Sequence, residues 1–457
     1  MKGALTMNKI LSFVLVAASV AVLFSCKSEE DDIFDSSAAE RLNEVQKTFG
    51  DRLVASDGGW VMEYFTSNYN IYPYSNGNLF LMKFFKDNTV TIATKNPPVQ
   101  LDSEYAEFIE EDESRLTEEF RNAFKNHDLL QETSLWEIIT DNGPVLTLNS
   151  YNSVLHYLSD PAYGLEGDYE FLLIDVPEDG QFVTTKGKKR SLDIRLTRLP
   201  AGTDFEEYLD DVQGFTGDMF PTTMPNELRL HFGDDVMNMD RVGSGMPIIY
   251  PNGKDSVTLG QLDPYLVTKR DGRYYLRFRD NINNSDTTKT AREFVYDAAN
   301  EKFTDVDNEE NYITGYPAAD FVNLRISEGK YWSMSAKNSE LMSPKVAALA
   351  GEINKSFAFN TLSLRQYDDG VIWSVALLTS YQYTMTVTEE GSLKFSYVEP
   401  TTPRSVTRYD DSEALRSLLD VLNGEFEVSN AMGSAFNLKQ VRFTAKSDPD
   451  FWFVLTI

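Results

Sequence analysis

The stretch LFLMKFFKDNTVTIAT, residues 79–94, decides the fold. Its arms are aromatic and β-branched, and Lys86–Asp87–Asn88 between them is turn chemistry, so it reads as a β-hairpin. REFVYDAANEKFTDV (292–306) and YTMTVTEEGSLKFSYV (383–398) follow the same plan about a short acidic turn. Such hairpins are the common unit of antiparallel sheets, and their recurrence alone does not establish a repeat. It does predict a mainly β chain with peripheral helices (α+β), built as antiparallel β-barrel or sandwich modules in tandem, rather than a parallel α/β fold.

Working outward, SLWEIIT (134–140), PVLTLNS (144–150), DYEFLLIDV (168–176) and SLDIRLTRL (191–199) read as strands. In the last, Leu192, Ile194 and Leu196 alternate with Asp193, Arg195 and Thr197, which predicts one buried face. YNSVLHYLSDP (151–161) reads as a short helical or turn segment. Helices are expected over 36–56, with Ser36 or Ser37 as N-cap, and over DFEEYLDDV (204–212), SPKVAALAGEINKSF (343–357) and DSEALRSLLDVL (411–422). The first has an apolar stripe of Ala38, Leu42, Val45, Phe49 and Leu53, and Gly50 should weaken its second half. The acidic, helix-prone segment around 101–130 looks inserted between two strands. The expected modules run over 38–200, 201–330 and 331–457.

The beginning of the chain addresses a different question. Ile10–Phe24 is an apolar run of 15 residues after Lys2 and Lys9. As a helix it would rise about 22 Å, short of a hydrocarbon core of about 30 Å, so residues 1–25 read as a signal peptide. The run ends in LFSC, which resembles the lipobox of bacterial lipoproteins, with Leu23 and Ser25 before a lipidated Cys26 and a bulky Phe24 as the departure. Residues 26–37 would then be an acidic, solvated tether. Its acids resemble the surface-export signal of Bacteroidota lipoproteins, which implies an outer-membrane anchor facing the cell exterior; a periplasm-facing anchor is the other reading.

Composition excludes several chemistries. Without residues 1–25 the chain has 40 basic and 71 acidic residues, a net charge of −31, which disfavours nucleic acid as a partner. Cys26 is the only cysteine, so disulfides, thiolate metal sites and cysteine nucleophiles fall away once it is acylated. His127, His156 and His231 form no H-E-x-x-H motif, and a satisfied structural role is the expectation for the last two. DVDNEEN (305–311) resembles a calcium loop only superficially, because Glu310 stands where glycine should turn and Tyr316 where the last carboxylate should be. No metal and no cofactor is expected. The five tryptophans, Trp60, Trp136, Trp332, Trp373 and Trp452, sit in strand-like contexts and read as core. The most suggestive loop is TSNYNIYPYSNGN (66–78), where Tyr69, Tyr72 and Tyr74 among asparagines could stack on a sugar or peptide; a tyrosine-rich sheet rim is the plainer reading.

GWVMEY, LFLMKFFKDNTVTI, PVLTLNSYNSVLHYLSDP, GDYEFLLIDV, GKKRSLDIRLTRL, YLVTKRDGRYYLRF and REFVYDAANEKF occur in that order. Together they resemble the Bacteroidota lipoproteins of domain-of-unknown-function family 4302. That resemblance implies surface lipoproteins encoded near importers of the SusC and SusD kind and near metallopeptidase-like lipoproteins. It supplies no catalytic residues. The expected function is a non-enzymatic accessory or binding protein for nutrient capture, with a membrane contact through its lipid, a TonB-dependent importer as partner and a glycan or peptide as ligand. The alternatives are a hydrolase working with carboxylates alone and a surface adhesin or scaffold.

Overall fold

The computed structural model describes residues 37–66, 77–95, 128–141, 143–159, 161, 166–178, 180–221, 227–240, 246, 248–249 and 263–457. They form a mainly β protein whose strand pairings are all antiparallel, with helices at the periphery. Two sheets close into eight-stranded barrels and a third eight-stranded sheet stands between them in the chain.

The first helix, α1 (Ala38–Val54), starts on a capping box: Glu40 N–H donates to Ser37 Oγ, and Ser37 N–H donates to the Glu40 carboxylate. Its second half is the better anchored one, contrary to the expectation from Gly50. Leu53 is fully buried, and Trp60 Nε1 donates to its carbonyl at 2.9 Å. Tertiary packing outweighs the propensity cost of one glycine.

The first barrel follows as a simple meander: β1 (Trp60–Tyr64), β2 (Asn78–Phe84), β3 (Thr89–Thr94), β4 (Leu130–Thr140), β5 (Pro144–Leu148), β6 (Glu170–Asp175), β7 (Phe182–Gly187) and β8 (Asp193–Arg198), closed by pairing of β8 with β1. The expected 79–94 hairpin is β2–β3, with Leu81 opposite Ala93 and Phe84 opposite Val90. Inward residues such as Trp60, Met62, Phe80, Met82, Trp136 and Phe171 fill the interior. The barrel is a packed core and not a channel.

The middle unit is α2 (Phe205–Met219) followed by β9 (Glu227–Phe232), β10 (Asp235–Asp240), β11 (Ile248–Ile249), β12 (Tyr265–Arg270), β13 (Arg273–Asn283), β14 (Thr290–Asp297), β15 (Lys302–Asp305) and β16 (Asn311–Gly315). Consecutive strands pair and β16 pairs back onto β9, with one seam left between β11 and β12. Among the described residues the connectivity is therefore that of the first barrel without a β11–β12 ladder. The last unit repeats the plan: α3 (Ala318–Ser327) precedes β17 (Tyr331–Ser335) through β24 (Trp452–Thr456), and β24 closes on β17. A helix followed by an eight-strand meander thus occurs three times. The three similar hairpins are β2–β3, β14–β15 and β20 (Thr379–Val387) with β21 (Leu393–Pro400), which hold different places in their meanders. Their likeness was local turn chemistry, unrelated to the common plan.

The units share their surfaces. Val61, Phe65, Leu79 and Leu81 point out of the first barrel into the core of the middle sheet. The open edge of β12 is covered there: Gly77 N–H donates to Tyr265 O at 3.0 Å, and a Cβ on Gly77 would stand 2.6 Å from Leu266 Cβ. From the other side, the connection between β22 (Glu425–Ser434) and β23 (Asn437–Ala445) inserts Phe436, 4% exposed, against Phe220, Tyr296 and Phe303. Its neighbour Asn437 donates to Asp218 O at 3.0 Å.

Charge is buried at the first of these junctions. Glu63 and Arg195 are opposite each other on β1 and β8; Arg277 and Glu293 are opposite each other on β13 and β14. The two cross-strand pairs exchange partners. Glu63 accepts from Arg195 and from Arg277 Nη1 at 2.8 Å, and Glu293 accepts from Arg195 Nη2 and Arg270 Nη1, each at 2.6 Å. The predicted one-sided burial of β8 therefore fails on its outer face, where Thr197 is fully buried and donates to Glu63 at 2.8 Å.

Candidate functional site

With the described barrel interiors filled, chemistry has to be sought at rims and outer faces. The richest rim is the end of the first barrel at which the β5–β6 connection lies. Asn152 caps a helical turn, Ser153–His156, by accepting from Val154 N–H at 3.1 Å. Val154, Leu155 and Leu158 then plug the barrel mouth, which leaves His156 facing the rim. Asn152 N–H donates to His156 Nδ1 at 3.0 Å and fixes the ring.

Two tyrosines flank that imidazole. Tyr151 lies 5.0 Å from it at 37°, and Tyr169 lies 4.9 Å from it at 24°. Tyr151 is 56% exposed and Tyr169 42%, so the outer rings of this three-ring row meet solvent. Burial depresses the His156 pKa below its ordinary value, more than Asn152 and Glu132 raise it. The imidazole is therefore neutral at pH 7.

The support beneath Tyr169 is specific. Asp168 N–H donates to Tyr64 Oη at 2.5 Å, and that hydroxyl donates back to Asp168 O at 3.0 Å. The Asp168 carboxylate accepts from the backbone N–H groups of Lys189 (3.2 Å) and Arg190 (2.9 Å) in the β7–β8 turn. Gly187 is needed here, since a Cβ would stand 2.1 Å from Asp168 Oδ2. An aromatic row on a rigid base can stack on the apolar face of a sugar ring or a peptide side chain.

A second concavity, of about 850 Å³, opens on the middle unit between Arg273, Tyr274, Tyr296, Asp297, Lys302 and Glu309. Its tyrosine faces are less available. Phe215 stacks on Tyr274 at 3.7 Å and 5°, and the Tyr274 hydroxyl donates to Asp211 at 2.8 Å. His231, expected to be structural, lies on the polar face of this sheet, stacked on Tyr312 at 4.2 Å.

Cys26, Tyr69, Tyr72, Tyr74 and His127 lie outside the described residues, as do residues 101–127 of the acidic segment. His156 was expected to be purely structural, and its position between two exposed tyrosines is what sequence reasoning missed. The signal lay in aromatics on both sides of one β–β connection. The 305–311 loop is folded on itself: Asp305 is buried and accepts from Asp307 N–H at 3.1 Å and Asn311 Nδ2 at 2.8 Å. Among the described residues no group of three His, Cys, Asp or Glu side chains could hold a metal ion. Trp60, Trp136, Trp332 and Trp373 are buried, whereas Trp452 is half-buried beneath Arg442 at 4.1 Å.

A family model described as Domain of unknown function (DUF4302) matches residues 30–298. The match takes in α1, the first barrel and the middle sheet as far as the end of β14. No curated protein matches the chain.

Proposed function

Since the chain belongs to the family described as Domain of unknown function (DUF4302), we propose that it is a lipid-anchored, non-enzymatic binding protein. It is held by Cys26 on the outer face of the outer membrane and presents a glycan or peptide to a TonB-dependent importer of the SusC/SusD kind. The observation that carries the binding role is the Tyr151–His156–Tyr169 row, with two exposed rings braced on the barrel rim. Stacking of this kind recognises flat apolar faces without needing a nucleophile or a metal. The anchor rests on the LFSC motif and the acids after it.

A hydrolase working with carboxylates has less support. Buried Glu63 and nearly buried Glu293 are each clamped by two arginines, and the buried Asp168 and Asp305 are taken up by backbone N–H groups of their own turns and by Asn311. Residues 27–457 screened against glycan and peptide arrays test the binding role. Retention that falls at least tenfold in both Tyr151→Ala and Tyr169→Ala supports it, and an array with no retained ligand refutes it. Mass spectrometry of the mature N-terminus tests the anchor: an unmodified Cys26 removes it.

A further inference from the structure

The hairpin between β19 (Gly370–Ala376) and β20 turns on two leucines, Leu377 and Leu378, since Ala376 is opposite Thr379. Leu377 is 81% exposed, more than any other large apolar side chain among the described residues, and Leu378 is 61% exposed. Leu378 also has φ 57°, a left-handed conformation that disfavours branched side chains. Nine described non-glycine residues have positive φ, and the other eight are all polar, so Leu378 is the one apolar residue held there. Two-residue hairpin loops are ordinarily served by Asn, Asp or Gly. Leucine at both positions adds strain and exposes apolar surface, with no gain inside the fold.

The tip is held rigidly. Thr402 Oγ1 donates to Leu378 O at 2.9 Å, and the same threonine caps the helix Pro403–Asp411. Ser380 N–H, two residues past Leu378, donates to Ser405 Oγ of that helix at 3.0 Å, and the residues on either side of Ser405, Arg404 and Val406, are exposed, Val406 to 45%. Arg408 lies over Phe357 at 4.2 Å and donates to Thr379 Oγ1. Neither Arg404 nor Arg408 forms an ion pair among the described residues, in a chain with 71 acidic and 42 basic residues.

We infer that Leu377, Leu378 and Val406, flanked by Arg404 and Arg408, form a bilayer-contacting tip that seats the third barrel on a membrane surface. A convex two-residue tip has no concavity to receive a protein side chain, but it can push apolar side chains past headgroups. Unneutralised arginines beside it match lipid phosphates. The net negative charge of the whole chain opposes free adsorption, so the contact operates when the chain is already held at the surface and effective concentration is high.

The test supplies the tether chemically, so it stands whether or not Cys26 is acylated in the cell. Residues 26–457 are coupled through Cys26 to a maleimide lipid in phosphatidylcholine vesicles containing one fifth phosphatidylglycerol, with and without brominated acyl chains. Leu377→Trp is expected to show at least a twofold greater loss of the added emission on brominated vesicles, and Arg404→Glu in that background to reduce the loss by half or more. Leu378→Asn, which relieves the strained φ, should melt at a higher temperature than the parent, showing that the loop has kept its shape. Equal emission on the two kinds of vesicle would overturn the inference.

Discussion

Glu63 and Arg195 meet in a paired geometry across the first barrel's outer face, with Nε 3.0 Å and Nη2 2.8 Å from Oε2. Glu63 is fully buried. Desolvation alone would raise its pKa, but Arg195 and Arg277 outweigh that and hold it below the ordinary value. Glu63→Gln should therefore cost about 3–5 kcal/mol, because it leaves two buried guanidiniums short of charge. Urea unfolding monitored at pH 7 reads the loss, and Glu63→Gln combined with Arg277→Met should recover part of it.

Acid should loosen the same junction. Burial pushes Glu293 up, but Arg195 and Arg270 bring it down to about 2, and Glu63 is lowered as well. Depressed carboxylates contribute stability that is complete above the unfolded value, here 4.5, and is lost as pH falls towards the folded one. The denaturation midpoint should be flat from pH 7 to pH 5 as far as this junction is concerned, then fall between about 4.5 and 2. Glu293→Gln should lower the midpoint at pH 7 and shallow that fall.

Phe436 belongs to the third unit and is buried in the middle one. Phe436→Ala should cost about 3–5 kcal/mol. Hydrogen exchange distinguishes this from general destabilisation: the largest gain should be in β14–β16 and α2, not in the first barrel.

Gly187→Ala should disturb the rim without touching an aromatic ring. The added methyl displaces the Asp168 carboxylate from the β7–β8 turn, at a cost of about 1–3 kcal/mol. Ligand retained on an array should fall with it, while Gly202→Ala, a glycine at φ 79° with open space around it, should cost stability and leave retention unchanged.

Local chemistry was readable in the chain; long-range closure was not. The 79–94 hairpin, the Ser37 cap and the start of the helix expected over 343–357 all stand where the local sequence put them. β22 was missed because register shifts around Met432 break its alternation. The helix Pro403–Asp411 was missed because Ser405 is its one buried residue, so it has no apolar stripe. Barrel closure, the seam beside β12 and the Glu63–Arg277 contact join residues far apart in the chain, and no periodicity encodes them. The Tyr151–His156–Tyr169 row was hidden for the same reason, since it depends on how a plugged barrel mouth aims three rings.

The insertion of Phe436 also sets an order of events. A chain emerging from its N-terminus can complete the first barrel once residue 198 is out, but the middle sheet lacks its aromatic stopper until more than a hundred residues later. During that interval its hydrophobic end is open to water and to other chains. Chaperone dependence during synthesis should therefore track how fast the last third of the polypeptide is delivered.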